Sequence, residues 1–155
     1  MQEISFGKSV NLKLKEKAWY VFGGRTNKNK LSNDLYLATI GQKPIEFVLK
    51  ETNGKKPSLR YDATLNYYEK GNYLILFGGR NDAISDVYTS NDLYILDLFS
   101  FDWISIRLYN TNPRMKVVKR SGHCSILYDD NLFVFDEMNS GSFVGSALFV
   151  WIISE

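Results

Sequence analysis

The chain has 155 residues, of which 45% are apolar, 15% aromatic and 23% charged, and its formal net charge is +2. This composition is enough for a sizeable core and is ordinary for a soluble domain. A single cysteine and the lack of a signal-like start give no support for secretion, and the apolar tail at 143–153, interrupted by Gly145 and Ser146, is shorter than the roughly 20 residues that span a bilayer. We therefore expect a cytoplasmic protein that contacts neither membrane nor nucleic acid.

Short apolar runs alternate with polar segments along the chain. The runs are rich in β-branched and aromatic residues and are bounded by Gly, Asn, Asp or Ser, which is typical of strands. The clearest are Tyr73 to Phe77, Leu93 to Leu98, Leu132 to Phe135 and Phe143 to Ile153. Three polar segments have the composition of hairpin turns, and they are residues 15–17, 69–72 and 129–131. Because no longer stretch shows an apolar period of about 3.6 residues, the sequence predicts an all-β protein.

Two phrases of the sequence recur along the chain. The first, Trp19-Tyr20-Val21-Phe22-Gly23-Gly24-Arg25, returns about 55 residues later as Leu74-Ile75-Leu76-Phe77-Gly78-Gly79-Arg80. The second, Ser32-Asn33-Asp34-Leu35-Tyr36-Leu37, returns as Ser90-Asn91-Asp92-Leu93-Tyr94-Ile95 and more faintly at 145–150. Units of this length are too small to bury their own apolar face, so the period indicates a repeat architecture of stacked units.

These phrases resemble the kelch repeat, in which an Arg-x-Gly-His-type opening is followed by a strand ending in Gly-Gly, an Asn-Asp-Leu-Tyr-like segment and a Trp. The middle unit has Arg60-Tyr61-Asp62-Ala63, Gly78-Gly79, Asn91-Asp92-Leu93-Tyr94 and Trp103, and it lacks only the His, which Asp62 replaces. The third opens with Arg120-Ser121-Gly122-His123 but has Asp136-Glu137 where the glycines belong. The first has Gly7-Lys8-Ser9 at its opening, Gly23-Gly24, and Phe47 near the Trp position.

The resemblance implies a single partial β-propeller over residues 1–155, with about three four-stranded antiparallel blades. Blade 1 would cover about residues 5–50, blade 2 about 58–108, and blade 3, which is incomplete, about 119–155. Structural positions of the repeat fall on Gly23, Gly24, Gly78, Gly79, Trp103 and His123, and we expect Cys124 to pack as a small apolar residue. An open arc leaves apolar flanks in water, so we expect a fragment of a longer propeller, self-association, or a partner that covers them.

No group of residues has the composition of a catalytic or metal site. His123 and Cys124 are neighbours, and neighbours on a strand point to opposite faces of the sheet, so they do not make a catalytic pair. One His and one Cys in the whole chain cannot supply the usual zinc or copper ligands. We therefore expect no enzyme activity, no cofactor and no bound metal.

The remaining expectation is a binding surface made by long connections on one rim, namely residues 25–32, 49–60, 80–90, 109–120 and 136–146. The candidate binding residues there are Arg25, Arg60, Arg80 and Arg120. Guanidinium groups suit carboxylates of a protein partner, although Arg25 and Arg80 could instead cap their own loops. Kelch proteins act mostly as scaffolds or adaptors, so the resemblance implies a non-enzymatic protein-interaction module. The alternative is a non-catalytic fragment of a larger kelch-propeller enzyme or ubiquitin-ligase substrate receptor.

Overall fold

A computed structural model describes residues 4–5, 10–12, 18–39, 44–81, 88–108, 117–135 and 148–151 of the chain. These residues form fifteen strands, whose pairings are antiparallel except for one, and contain no helix, so none of them belongs to a helix that could cross a membrane. The all-β prediction is confirmed. No sheet in this part of the chain closes into a barrel.

The first sheet, blade 1, is built by the strands β1 (Ile4–Ser5), β2 (Val10–Leu12), β3 (Ala18–Thr26), β4 (Leu31–Thr39) and β5 (Phe47–Lys50). Its order is β2-β3-β4-β5, and β1 pairs with the far end of β3. The register shifts between Phe22 and Gly24, which places Gly23 at a bulge. A four-residue turn joins β3 to β4, so the long connection predicted over residues 25–32 is wrong: half of it is strand.

The second sheet, blade 2, is the most complete. Its strands are β6 (Asn53–Gly54), β7 (Thr64–Tyr68), β8 (Tyr73–Phe77), β11 (Leu93–Asp97) and β12 (Asp102–Ile106), and a small ribbon is formed by β9 (Arg80–Asn81) and β10 (Tyr88–Thr89). The antiparallel order is β7-β8-β11-β12, and β6 adds a parallel pairing to β12. The predicted turn at 69–72 joins β7 to β8, where Asn72 adopts the left-handed conformation that Asn tolerates.

The third sheet, blade 3, contains β13 (Cys124–Tyr128), β14 (Asn131–Phe135) and β15 (Leu148–Trp151) in that order. Its first turn is at Asp129 and Asp130, as predicted, and both residues have positive φ. Asp136 and Glu137 lie outside the described residues. The predicted strand at 143–153 does too, except for residues 148–151, which form β15.

The core lies between the blades. Because side chains alternate along a strand, β8 supplies Leu74 and Leu76 to one side and Ile75 and Phe77 to the other. The first pair packs with the apolar face of blade 1 and the second pair with blade 3. Trp103 belongs to the first cluster, where its ring lies edge-on to Phe22 with centroids 5.1 Å apart. Blade 2 is therefore buried on both faces.

The glycine pairs lie where neighbouring blades approach each other. Gly23 and Gly78 both have positive φ, and a Cβ on them would lie 2.5 Å from the carbonyl oxygen of Arg60 and 2.7 Å from that of Arg120, respectively. No side chain could be placed there without moving the next blade, because both obstacles are backbone. The following residues, Gly24 and Gly79, donate their N–H groups to the same two carbonyls at 2.9 Å.

Two details of the repeat differ from the sequence-based expectation. The sequence predicted that Asp62 replaces the His of the repeat. In the structure Asp62 instead corresponds to Gly122, since both residues have positive φ, and Ala63 corresponds to His123. The expectation that Cys124 packs as an apolar residue is also wrong, since the side chain is exposed. It lies on the face of β13 that points away from blade 2, whereas the preceding residue, His123, is fully buried.

Candidate partner-binding site

The glycine pairs and the connections between blades meet at one edge of the sheets, called here the glycine edge. Arg25 follows the first pair near the end of β3, and Arg80 follows the second pair at the start of β9. Tyr61, in the opening segment of blade 2, exchanges two backbone hydrogen bonds with Arg80, at 3.0 and 2.9 Å. This bridge lies within blade 2 and holds Tyr61 beside the residue that follows the second glycine pair.

The ring of Tyr61 is contacted by both guanidinium groups. The central carbon of Arg25 lies 4.2 Å from the ring centroid, and that of Arg80 lies 4.6 Å from it. Nε of Arg80 also lies 3.3 Å from a carboxylate oxygen of Asp62. Cation–π contacts at partly exposed sites contribute about 0.5–1 kcal/mol each, enough to restrict both side chains. We call Arg25, Tyr61, Asp62 and Arg80 the arginine cluster; its four side chains carry a net charge of +1.

Arg60, another predicted binding residue, is only 2% exposed. Its Nη1 donates to the carbonyl of Gly78 at 2.8 Å, and its Nη2 donates to Asp92 at 3.2 Å and to the hydroxyl of Ser58 at 3.0 Å. The guanidinium therefore joins the opening of blade 2 to its glycine turn and to its Asn-Asp-Leu-Tyr segment. The prediction that Arg60 contacts a partner is wrong, because a guanidinium that is buried and bonded within blade 2 is not available to one.

Arg120 occupies the same place in blade 3 and is 3% exposed. Its backbone N–H donates to Ser90 at 3.0 Å, as that of Arg60 donates to Ser32 at 3.1 Å. Its Nε donates to the carbonyl of Val118 at 3.3 Å, which matches the bond from Arg60 to Ser58. The expectation of a binding role for Arg120 is corrected for the same reason as for Arg60: the side chain is interior.

The Asn-Asp segments fasten each blade to the connection that follows it. Asn33 donates its side-chain amide to the carbonyl of Pro57 at 2.8 Å, and Asn91 donates to that of Val117 at 3.0 Å. The serine before each asparagine accepts a bond from the backbone N–H two residues on, at 2.8 Å in blade 1 and 2.9 Å in blade 2. These bonds fix the connections that follow blades 1 and 2 to the strands of those blades at the glycine edge.

Tyr61 is the member of the arginine cluster that was not indicated by the sequence as a site residue. Its partners are distant along the chain, and the third unit has Ser121 at the matching position, so the repeat gave no signal for it. The one hint in the sequence is that an aromatic residue, Tyr61, directly follows Arg60, which the third unit repeats as Arg120.

The side chain of His123 contacts residues of blade 2. Nε2 lies 3.0 Å from the hydroxyl of Thr64, and the ring is edge-on to Phe77 at 5.4 Å between centroids. Within the described ranges, no three His, Cys, Asp or Glu side chains are grouped as they would be to hold a metal ion.

The family is decided by the match to a family model. The model of the KLHDC2/KLHL20/DRC7 kelch-repeats domain matches residues 9–151. The chain belongs to the kelch-repeat family. Its three sheets form a partial kelch β-propeller, as the sequence predicted.

Several proteins are similar to this kelch chain. Dynein regulatory complex subunit 7 of Chlamydomonas reinhardtii is 34% identical over 94 residues, which are 60% of this chain and 8% of that protein. The host cell factor homolog hcf-1 of Caenorhabditis elegans is 28% identical over 141 residues, 83% of this chain and 17% of that protein. The chain thus spans a small part of the curated relatives it matches.

A solved structure shares the fold. A chain in the cryo-EM structure of RAG in complex with one melted RSS and one unmelted RSS has a TM-score of 0.67 and 20% identity. The alignment covers 96% of this chain and 50% of that one.

Proposed function

We propose that this kelch domain is a non-enzymatic protein-interaction module, acting as a scaffold or adaptor, that binds an acidic segment of a partner protein at the arginine cluster. Kelch homologues named as a dynein regulatory complex subunit and a host cell factor support an interaction role in general. By analogy with the first, the partner would be another subunit of an assembly. A cytoplasmic location is part of this proposal, and neither membrane nor nucleic acid is among its partners.

The observation that carries the proposal is the pair of guanidinium groups at one aromatic ring. Arg25 and Arg80 hold equivalent places in successive blades, are partly exposed, and lie within 4.2 and 4.6 Å of the centre of the Tyr61 ring. A carboxylate accepts two hydrogen bonds from one guanidinium, so two such groups held near each other suit a segment with neighbouring acidic side chains. Asp62 offsets only one of the two positive charges, so the cluster keeps a net charge of +1 and still attracts an acidic side chain.

A structural alternative is that the cluster only fastens blade 1 to blade 2. Replacing both arginines by alanine separates the two roles. We expect Arg25→Ala/Arg80→Ala to lose binding to acidic peptides in a fluorescence-polarisation assay, with little change in melting temperature. A lowered melting temperature with binding retained would favour the purely structural role.

A matched control removes the same charge nearby. Lys28 and Lys30 are exposed in the turn between β3 and β4, close in sequence to Arg25. Lys28→Ala/Lys30→Ala should retain binding, whereas general electrostatic attraction predicts a similar loss in both double variants. The variant Arg25→Lys/Arg80→Lys keeps the charge but loses the planar fork, so partial loss is expected from it.

The second candidate function is a non-catalytic part of a larger kelch-propeller enzyme or ubiquitin-ligase substrate receptor. The observation that favours it is the small share, 8% and 17%, of the relatives' length that this chain spans. Affinity purification from the native cell followed by mass spectrometry tests it, since an adaptor subunit of a ligase would co-purify with the chain only under this alternative.

A further inference from the structure

Three turns of blades 2 and 3 lie at the edge of the sheets opposite the glycine edge, and they are at residues 69–72, 98–101 and 129–130. The backbone N–H of Leu98 donates to the carbonyl of Asn72 at 3.1 Å, which joins the second turn to the first. Nζ of Lys70 lies 2.7 Å from a carboxylate oxygen of Asp130, which joins the third turn to the first. The three turns therefore form one continuous surface, which we call the turn surface.

Phe99 lies in the second of these turns and is 82% exposed, the highest value among the large apolar side chains of the described ranges. Its neighbours Leu98 and Phe101 pack against the apolar cluster shared by blades 1 and 2. The backbone N–H of Phe99 donates to Oδ1 of Asp97 at 2.7 Å, and that of Phe101 donates to the carbonyl of Asp97 at 2.8 Å. The turn is thus fixed on both sides of Phe99, and a ring held in this way loses little conformational entropy when a partner covers it.

The turn surface is acidic. Five carboxylates lie in its turns or at the strand ends beside them, and they belong to Glu69, Asp97, Asp102, Asp129 and Asp130. The one cation among the described residues there is Lys70, so the net charge is −4. Of the five carboxylates, only that of Asp130 forms an ion pair with another described residue. A second exposed aromatic side chain, Tyr128 with 71% exposure, precedes the third turn.

We propose that the turn surface is a second docking surface, which binds a segment of a partner protein rich in arginine or lysine. The face of an exposed aromatic ring attracts a guanidinium or ammonium group, and nearby carboxylates attract the same group by its charge. Phe99 and the acidic turns supply both interactions together. Charge complementarity decides the occupant, because an acidic segment would meet a net charge of the same sign.

The turn surface differs from the arginine cluster in both place and charge. The first lies at the turns of blades 2 and 3 and is negative, whereas the second lies at the glycine edge and is positive. Two surfaces of opposite charge at opposite edges would let one domain hold two partners at once, as a scaffold does. Docking at the turn surface does not depend on binding at the arginine cluster.

Fluorescence polarisation with the full chain tests the docking. The probe is a labelled octapeptide of alternating arginine and serine, compared with the same peptide carrying glutamine in place of arginine. We expect only the arginine peptide to bind, with an affinity that falls as the salt concentration rises. Phe99→Ser should weaken its binding about two- to fivefold, as expected for the loss of an exposed cation–π contact. Glu69→Gln/Asp129→Asn should weaken it several-fold.

Two matched variants locate the binding. Phe135→Ser changes an exposed phenylalanine at the other end of blade 3, and Glu46→Gln/Glu51→Gln removes two exposed carboxylates outside the turn surface. Both should bind the arginine peptide as the wild type does. Circular dichroism checks that each variant folds, and Phe99→Gln replaces Phe99→Ser if the latter does not.

Four results would overturn the proposal. The first is that the arginine peptide does not bind to the wild type. Equal binding of the glutamine peptide, without an effect of salt, would mean that the surface binds an apolar partner. Equal losses in the two carboxylate variants, with Phe99→Ser unchanged, would mean a general attraction to the acidic side chains of the chain. A wild-type chain that dimerises in light scattering, and that Phe99→Ser converts to a monomer, would identify a second copy as the occupant.

Discussion

Blades 2 and 3 have similar second strands but differ in burial. In blade 2, the four consecutive residues Leu74–Phe77 are all buried. In blade 3, Leu132 and Val134 are buried, whereas Phe133 is half-buried and Phe135 is exposed. The first pattern is that of a sheet covered on both faces and the second that of a sheet covered on one. In this repeat, burial depends on the neighbouring blade as much as on the strand's own sequence.

The contrast also locates the stability of the molecule. Blade 2 contributes to two apolar clusters, one shared with each neighbour, while the described part of blade 3 contributes to one. Substitutions in blade 2 should therefore disturb two interfaces, and substitutions at the exposed residues of β13 and β14 should disturb neither of the two clusters that the described residues form.

The largest expected effect comes from truncating equivalent phenylalanines. Phe77→Ala should cost about 3–5 kcal/mol, because it leaves a cavity among fully buried side chains, and it should lower soluble expression. Phe135→Ala should change the stability of the dilute monomer by no more than about 0.5 kcal/mol, as for an exposed site. Chemical denaturation of both variants measures the difference. Near-equal costs would break the comparison, and wild-type-like unfolding of Phe77→Ala would remove the assignment of β8 to a buried blade.

A smaller effect is expected at the opening segments of blades 2 and 3, where Arg60 and Arg120 are buried. Arg60→Ala removes the bonds to Gly78, Asp92 and Ser58, and the buried carbonyl of Gly78, left without its donor, costs about 1–3 kcal/mol. Arg120→Ala should be destabilising as well, because it removes the buried side chain and the bond from its Nε to the carbonyl of Val118. Thermal unfolding followed by circular dichroism measures both. An unchanged melting temperature for Arg60→Ala would mean that the stability of blade 2 does not depend on this side chain.

The smallest effect is expected at the turns of blades 2 and 3. Nζ of Lys70 lies 2.8 and 2.7 Å from the two carboxylate oxygens of Asp130, and the hydroxyl of Tyr68 donates to one of them at 3.1 Å. The bond from Lys70 lowers the pKa of Asp130 below its ordinary value, and the same bond raises the pKa of Lys70. Since Lys70 is largely exposed, solvent screens the pair and its contribution is small.

The sign of these shifts fixes the pH window of that contribution. The folded pKa of Asp130 is depressed, so its stabilisation is present above the unfolded pKa of about 4 and is lost as the pH falls through the folded pKa. The folded pKa of Lys70 is raised, so its stabilisation is present below about pH 10 and is lost as the pH rises through the folded pKa. Asp130→Asn should lower the melting temperature slightly at pH 7, and the difference from wild type should vanish near pH 2. Asp129→Asn is the control, and an unchanged difference at pH 2 would exclude the ion pair as the cause.

Local features of the fold were predictable because they depend on neighbours in the sequence. The bounds of β8, Tyr73–Phe77, were predicted from a run of apolar residues between polar turns, and the turn at 69–72 from its Gly and Asn. The repeated Gly-Gly and Asn-Asp phrases predicted the blades, and the family match confirms that prediction.

Contacts between blades were decided only by the tertiary structure, because they join residues that are far apart in the chain. Arg60 and Arg120 look like surface residues in the sequence, and they are buried because the glycine turns and the Asn-Asp segments surround them. Tyr61 meets Arg25 only after blades 1 and 2 pack together, and it meets Arg80 through a bridge within blade 2. The sequence by itself determined which segments become strands and how often the unit repeats, because hydrophobic periodicity and turn chemistry are local. Which faces are covered, and which arginines remain accessible, was decided by the packing of one blade on the next.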